Sequence, residues 1–516
     1  AFETFFNVMP SDSGIAFVVI AHLDPTHVSL LPELIQRHTK MPVIPIKDGM
    51  TVEPNHVYVI PPNKQLTLLN GTLLLLELPQ PRALNLPIDF FFRSLAKDQG
   101  SGAICIILSG TGSDGTQGLK EIKGCAGMVM VQDEASAKYD GMPRSAIATG
   151  LADFVLAPDL MPEQLIKYTR HTVFKAPAEY IPARGMASNA LQKIYIALRA
   201  RSDHDFTQYK KNTIYRRIER RMNVHQIDDI NDYVSFLQDS DREIDILFKE
   251  LLIGVTSFFR DTPAFDALRN VYLPEYLANK PEGYTIRVWV TACSSGEEAY
   301  SWAILLHECM RKMDRHFNVQ IFATDLDKDA IAVARTGLYT ESILADVSAQ
   351  RLKLYFNKEE SGLYRVKKLI REMLVFAPQN LIKDPPFTKL DILSCRNLLI
   401  YFGQELQKKI LPVFHFSLKP EGILFLGSSE TIGHFNDLFI VQDKKWKIYK
   451  RQNPSLSSLP ILSFPTIKPP FENNFPMTPD SISKAEEVSA IQLVESILQQ
   501  SNAPPCAIID SANNVI

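Results

Sequence analysis

The sequence predicts a multidomain α/β protein in which two α/β units with mainly parallel sheets flank a small all-α unit. Three observations point there. Residues 1–172 alternate short β-branched runs with helix-like stretches, residues 188–275 carry only helical periodicity, and strand–helix alternation returns from 285. A length of 516 residues fits about three domains. With 46% hydrophobic residues and a formal net charge of −3, folded domains are expected, with no overall pull toward nucleic acid or membrane. The six cysteines are scattered without CxxC spacing, so a reduced cytoplasmic protein is expected, with neither a zinc site nor a disulfide framework. No apolar run approaches the roughly 20 residues that span a bilayer, so membrane insertion is not expected. The chain opens AFETFF without Met and ends SANNVI, which reads as a piece of a longer protein.

In the first unit, 1–172, the strands are GIAFVVI, HVYVI, AICIILS and GMVMVQ, with helices over SLLPELIQRH and GLKEIKG. AHLDP follows the first of these strands and puts His22 at its carboxyl end. SGTGSDGTQG follows AICIILS and puts Asp114 in a Gly-rich turn. A His and an Asp so placed supply two members of an acyl-hydrolase triad, in which Asp orients His and His deprotonates Ser. The plain alternative for His22 is a hydrogen-bonded structural residue. Residues 173–187 are a Pro- and Ala-rich connector. The helical unit, 188–275, places Ile227, Ile230, Val234 and Leu237 on one face. Its stretch YKKNTIYRRIERRMN presents Lys210, Lys211, Arg216, Arg217, Arg220 and Arg221 around an Ile214–Ile218 stripe. Such a run is a solvated helix face or a dock for an acidic partner. Nucleic acid is not expected, because stacking aromatics are scarce.

The second α/β unit, 276–451, has strands TIRVWVTAC, VQIFATDLD, LDILSC and GILFLGSS. Open α/β sheets bind ligands beyond the carboxyl ends of their strands. There the chain offers VTACSSGEEAYS, Asp325, and the Arg396-Asn397 turn. GxGxxG is absent, and Glu297 and Glu298 occupy a helix start that would otherwise favour a phosphate. Acids in that place fit a cationic, phosphate-free nucleoside such as S-adenosylmethionine, with Asp325 accepting from ribose hydroxyls. Two capping charges without a ligand are the plain alternative, and Glu298 is the better of the two for ligand contact. Residues 452–483 form a Pro/Ser-rich linker. Residues 484–516 read as a helix and a strand.

Several blocks together carry a family resemblance. TSFFRD (256–261), ACSSGEEAYS (292–301), FATDLD (322–327), FAPQNL (376–381), CRNLLIYF (395–402) and LKPEGILFLGSSE (418–430) resemble the CheR-type chemotaxis receptor glutamate methyltransferases across 188–451. That resemblance implies a class I S-adenosylmethionine methyltransferase sheet joined to a helical domain. It implies cofactor contacts at Thr256, Arg260, Glu298, Asp325, Asn380, Leu381, Arg396 and Asn397, with Arg260 and Tyr401 at the reacting centre. It also implies docking of an acidic receptor coiled coil on Lys210, Lys211, Arg217, Arg220 and Arg221, with membrane association only through that receptor. Where the family carries Asn two residues before the Thr, this chain has Gly254, so that contact is not carried over. An Asn/Asp-Pro-Pro-aromatic turn, typical of nitrogen methylation, is absent from Cys395-Arg396-Asn397-Leu398.

VVIAHLDP, HVYVIPPN, ILSGTGSDGTQGL and QDEASAKYDGMPRSAI resemble the CheB-type protein-glutamate methylesterase domain. That resemblance implies a doubly wound parallel sheet with His22 as base and Asp114 as its orienting partner. The family's nucleophilic Ser precedes the equivalent of AFETFF, so this stretch is expected to fold poorly at its first strand and not to hydrolyse esters. The final stretch resembles the opening of a PAS sensor domain; a tail without fixed structure is the alternative. The expected whole is a methylesterase–methyltransferase fusion that methylates receptor glutamates. The rival readings are a non-catalytic cofactor-binding scaffold and a methyltransferase for another protein or nucleic acid.

Overall fold

The computed structural model describes residues 1–22, 29–77, 86–171 and 186–453. The PAS-like stretch and most of the connector lie outside these described residues. All the described residues fall within one compact unit.

The first α/β unit contains β1 (Phe17–Val19), β2 (Val43–Pro45), β3 (Val57–Val59), α1 (Pro87–Gln99), β4 (Ile104–Ile107), α2 (Thr116–Gly124), β5 (Met128–Gln132) and β6 (Phe154–Leu156). Its parallel pairing runs in two three-stranded pieces, β1-β3-β2 and β4-β5-β6, rather than through one continuous sheet. A third, antiparallel sheet holds the Lys64–Leu69 and Thr72–Glu77 hairpin, closed by Asn70 and Gly71 in left-handed backbone. Asn-Gly between apolar runs is the turn that matches strand twist, so this hairpin was readable in LTLLNGTLLLLEL.

The helical unit comprises α3 (Met186–Ser202), α4 (Lys211–His225), α5 (Ile230–Asp239) and α6 (Asp241–Leu251). Asp229 and Ser240 cap α5 and α6 by accepting from Asn231 and Glu243 amides. Val234 and Leu237 are buried in the helical core, and Ile227 and Ile230 pack against it. The short helices between Thr262 and Ala278 instead send Ala264, Phe265, Leu268, Leu273 and Leu277 into the core of the second α/β unit. The helical unit therefore closes near Leu251, short of the expected 275.

The second α/β unit has β7 (Thr285–Thr291), α7 (Glu297–Met313), β8 (Asn318–Asp325), β9 (Leu374–Pro378), β10 (Leu390–Cys395), β11 (Leu418–Leu426), β12 (Phe439–Asp443) and β13 (Ile448–Arg451). The sheet order is β9-β8-β7-β10-β11-β13-β12, parallel except at the last two pairings. The chain leaves β7 toward β8 and β9 and later returns to its other side at β10. That reversal opens a crevice at the carboxyl ends of β7, β8 and β10. No helix among the described residues is long and apolar enough to cross a membrane.

The basic helix α4 corrects an expectation. Arg217, Arg220 and Arg221 are only 6%, 3% and 5% exposed. Arg217 donates to the carbonyls of Lys123 (2.6 Å) and Gly124 (2.7 Å) at the end of α2. Arg220 donates to Gly127 O (3.0 Å) and pairs with Asp153 and Glu250, while Lys123 also pairs with Glu250 at 3.1 Å. Arg221 grips Glu243 at 2.6 and 2.8 Å. Arg217 and Arg220 join the helical unit to the first α/β unit, Arg221 braces α4 against α6 within the helical unit, and none of the three offers a surface to an external acidic partner; Lys210 and Lys211 stay exposed. Burial alone would raise the Glu243 carboxyl, but hydrogen bonds from His225 and Arg221 outweigh it and hold the group at about 2.

Arg220→Met should destabilise the protein by about 3–5 kcal/mol in denaturant unfolding, because it strands buried carboxylates. Arg201→Ala, at the exposed pair with Asp245, should leave the unfolding midpoint close to that of the parent, because solvent screens the pair. Because the Glu243 acid is depressed in the folded state, its contribution is full above the usual carboxylate range. It should be lost as pH falls toward about 2, which acid unfolding of Glu243→Gln beside the parent would read.

Candidate active site

At the crevice of the second sheet, β7 ends in Thr291 and the chain turns through Ala292 and Ser294, both with left-handed backbone. Gly296, with φ +95, starts α7, and a Cβ there would lie 2.9 Å from the Ala334 Cβ. Phe259, Asp261 and Asn397 also hold φ between 49° and 61°. Such positions cost of order 1–3 kcal/mol each and cluster where a site is pre-formed.

Thr256, Arg260, Glu298, Asp325, Asn380, Leu381, Arg396, Asn397 and Tyr401 all line one cavity of about 400 Å³. The Asp325 carboxylate ends β8 and accepts from the Ser294 amide (2.7 Å) and the Asp327 amide (2.9 Å). Asp327 caps the next helix through the Asp329 and Ala330 amides, so the two acids of FATDLD divide the work. Burial pushes the Asp325 carboxyl up to about 6. Glu298 accepts from Ser394 Oγ at 2.6 Å and from Arg396 Nη1 at 3.3 Å. Arg396 in turn reaches Asp261 (2.7 Å) and the Arg260 carbonyl (2.9 Å), with its guanidinium over the Phe425 ring. Arg396 thus orients Glu298 as well as facing the cavity. Glu297 is buried, accepts from Ser295 Oγ and is absent from the cavity lining; among the described residues it makes no side-chain hydrogen bond to the amides of the helix start.

Arg260 donates to the Val255 carbonyl at 2.7 Å and has no ion pair among the described residues, which leaves its charge available to an anion. Gly254 has a local reason. A Cβ there would lie 2.5 Å from Ser294 Oγ, so the serine hydroxyl fills the space a larger residue would need.

The structure adds residues that sequence reasoning missed. His204 and Tyr209, from the helical unit, line the cavity. His204 bonds Tyr209 OH at 2.9 Å and the Asn380 amide at 3.0 Å, and burial lowers its pKa to about 4, so it is a neutral positioning group. Glu430 accepts from the amides of Gly427 (2.6 Å), Asn397 (3.0 Å) and Leu399 (2.7 Å), which clamps the turn after β10 to β11. Glu430 stood within the motif LGSSE, the one available signal.

In the first α/β unit, His22 Nε2 lies 2.9 Å from the buried Asp114 carboxylate, which also accepts from the Ile88, Asp89 and Gly115 amides. The hydrogen bond to Asp114 raises the His22 pKa. A buried acid holding a half-exposed imidazole is the geometry of a base and its orienting partner. Ser13 Oγ accepts from the Ile15 amide within its own loop.

The family description "CheR methyltransferase, SAM binding domain" matches residues 254–448, the CheR all-alpha domain matches 189–252, and CheB methylesterase matches 1–165. The chemotaxis protein methyltransferase Cher2 of Pseudomonas putida is 38% identical over 200 residues, covering 38% of this chain and 72% of that protein. The chain belongs to the CheR chemotaxis methyltransferase family. It carries a CheB methylesterase domain in front. The chemotaxis protein methyltransferase of Escherichia coli is 32% identical over 244 residues, 45% of this chain and 81% of that protein. An uncharacterized 104.1 kDa protein of Rhodobacter capsulatus is 35% identical over 511 residues, 94% of this chain, and the chain spans 52% of its length. The crystal structure of the Thermotoga maritima CheB methylesterase catalytic domain aligns with 30% identity over 32% of this chain and 89% of that one, at a TM-score of 0.30.

S-adenosylmethionine is the cofactor of this CheR fold. The lining fits it. Two acids face a cavity with no phosphate-binding loop, and its volume lies at the small end of ordinary ligand pockets. An Asp325 that accepts from two ribose hydroxyls has to be ionised, so on that assignment S-adenosylmethionine affinity should weaken as pH falls through about 6 and stay level above it. Isothermal titration across that range should show the step in the parent. Asp325→Asn should bind more weakly with the step removed.

Proposed function

We propose that the CheR-type part transfers the methyl group of S-adenosylmethionine to glutamate side chains of a chemotaxis-type receptor, and that the CheB-type part acts on the resulting esters. The observation that carries this reading is the convergence of Arg260, Glu298, Asp325, Arg396 and Tyr401 on one cavity at the switch point of the sheet. When bound, the cofactor would supply an electrophilic methyl on a sulfonium; a carboxylate oxygen would attack that carbon in line, so that the O–CH3 bond forms as the S–CH3 bond breaks and its electron pair returns to sulfur as a neutral thioether.

The residues of the chain then have a limited task. An ionised glutamate needs no general base, and neutral His204 does not compete for that role. Arg260, free of carboxylate partners, holds the incoming carboxylate. Asp325 and Glu298 fix the far end of the cofactor, and the surrounding cavity keeps water from the reacting atoms. Tyr401 sits in the same lining, with its carbonyl tied to the Lys210 amide at 2.8 Å. Exposed Lys210 and Lys211 therefore lie near the receptor's approach.

Labelled cofactor incubated with a receptor signalling fragment should give base-labile label released as methanol. Base-stable label would assign a different acceptor, and binding without transfer would make the domain a scaffold. Arg260→Ala should lower transfer in that assay by about a hundredfold.

A further inference from the structure

The methyl-transfer cavity is not built by the CheR-type units alone. Ala96 and Lys97 from the end of α1, and Glu121, Gly124 and Cys125 from the end of α2, line the same cavity as Arg260 and Tyr401. The fit is close: a Cβ on Gly124 would lie 2.7 Å from Val255 Cγ2, one residue before Thr256. The end of α2 is also held from the other side, because Arg217 donates to the Lys123 and Gly124 carbonyls of its last turn. Lys123 and Asp153 tie the same region to Arg220 and Glu250. The CheB-type wall is therefore fixed by buried, paired charges.

Lys97 is the cation this wall presents, and Glu121 is its one acid. It is exposed and makes no hydrogen bond or ion pair among the described residues. Arg260 faces the same space and is likewise without a carboxylate partner. The acceptor in the proposed reaction is a carboxylate that reaches a cavity already holding Asp325 and Glu298, so it gains from cations along its path. Glu121 lines the same wall and reduces that gain, which leaves Arg260 and Lys97 as the two cations of the lining that have no carboxylate partner among the described residues.

We infer that the acceptor site is composite: the CheB-type domain forms a standing wall of the methyltransferase cavity, and its Lys97 receives the acidic receptor segment. This rests on the glutamate-methylation reading above. The wall is part of the working site, so it does not have to swing away for methylation to occur.

A pair of charge variants and a second, disulfide-forming variant test this in the whole chain, with a soluble receptor signalling fragment and labelled S-adenosylmethionine as probes. Lys97→Glu should raise the KM for the receptor fragment by roughly tenfold, with cofactor affinity unchanged. Lys97→Arg should restore most of the loss. The second variant pairs Gly124→Cys with Val255→Cys in a Cys125→Ser background. A Cβ on Gly124 would sit 3.9 Å from the Val255 Cβ, within the range a disulfide requires. The oxidised protein should methylate within about twofold of its reduced form. Loss of transfer on oxidation, recovered on reduction, would make the wall a lid that must open and overturn the inference. So would an unchanged receptor KM in Lys97→Glu. Absence of receptor methylation in the parent chain would instead overturn the glutamate-methylation reading itself.

Discussion

The arrangement of the three domains depends on where the guanidinium groups of α4 find partners. Arg217, Arg220 and Arg221 are buried, and a buried guanidinium without acceptors would cost several kcal/mol. Each finds acceptors of a different kind: helix-end carbonyls for Arg217, a carbonyl and two carboxylates for Arg220, and a bidentate carboxylate for Arg221. The planar fork of arginine suits such fixed directions, whereas a lysine point charge would tolerate many. Ion pairs of this sort contribute little net stability against well-packed apolar groups, and what they supply is one orientation. Once the α2 carbonyls must meet Arg217, Gly124 is set against Val255, and the CheB-type domain borders the methyl-transfer cavity.

A second constraint acts inside that cavity. Glu298 and Asp325 bring negative charge to a helix start and a strand end, where α/β folds often hold phosphate. The two acids are held differently. Arg396 and Ser394 bond Glu298, while Asp325 has only backbone amides and is pushed toward neutrality by burial. Arg260 remains the cation without a carboxylate of its own. The charge left over suits a cationic nucleoside on one side and an anionic acceptor on the other.

Much of this was legible in the sequence, for a physical reason. Residues that follow a strand are positioned by that strand alone, so His22, Asp114, Asp325 and the Arg396-Asn397 turn could be placed from local pattern. The fate of α4 could not. Its Ile214–Ile218 stripe and cationic face describe a solvated amphipathic helix equally well, and only acceptors about ninety residues earlier in the chain decide burial. His204 and Tyr209 carried no motif because they act from the helical unit across a domain boundary. The division of the first parallel sheet into two pieces was equally hidden, since each strand run is well formed by itself.

The two chemistries share a support. Asp114 accepts from the amides of Ile88 and Asp89 at the start of α1, and Lys97 lines the methyl-transfer cavity near its end. Nine residues of helix separate these points, about 13 Å at the usual rise per residue. The same holds for α2, which follows Asp114 at its start and gives Glu121 and Gly124 to the cavity near its end. The sites proposed for the two opposing reactions therefore lie at opposite ends of one helix pair. On the glutamate-methylation reading, a receptor segment would meet one end for transfer and the other for hydrolysis. Direction would then depend on which end the segment meets, and the charges at those ends differ: a paired His22–Asp114 at one, an unpaired Lys97 at the other.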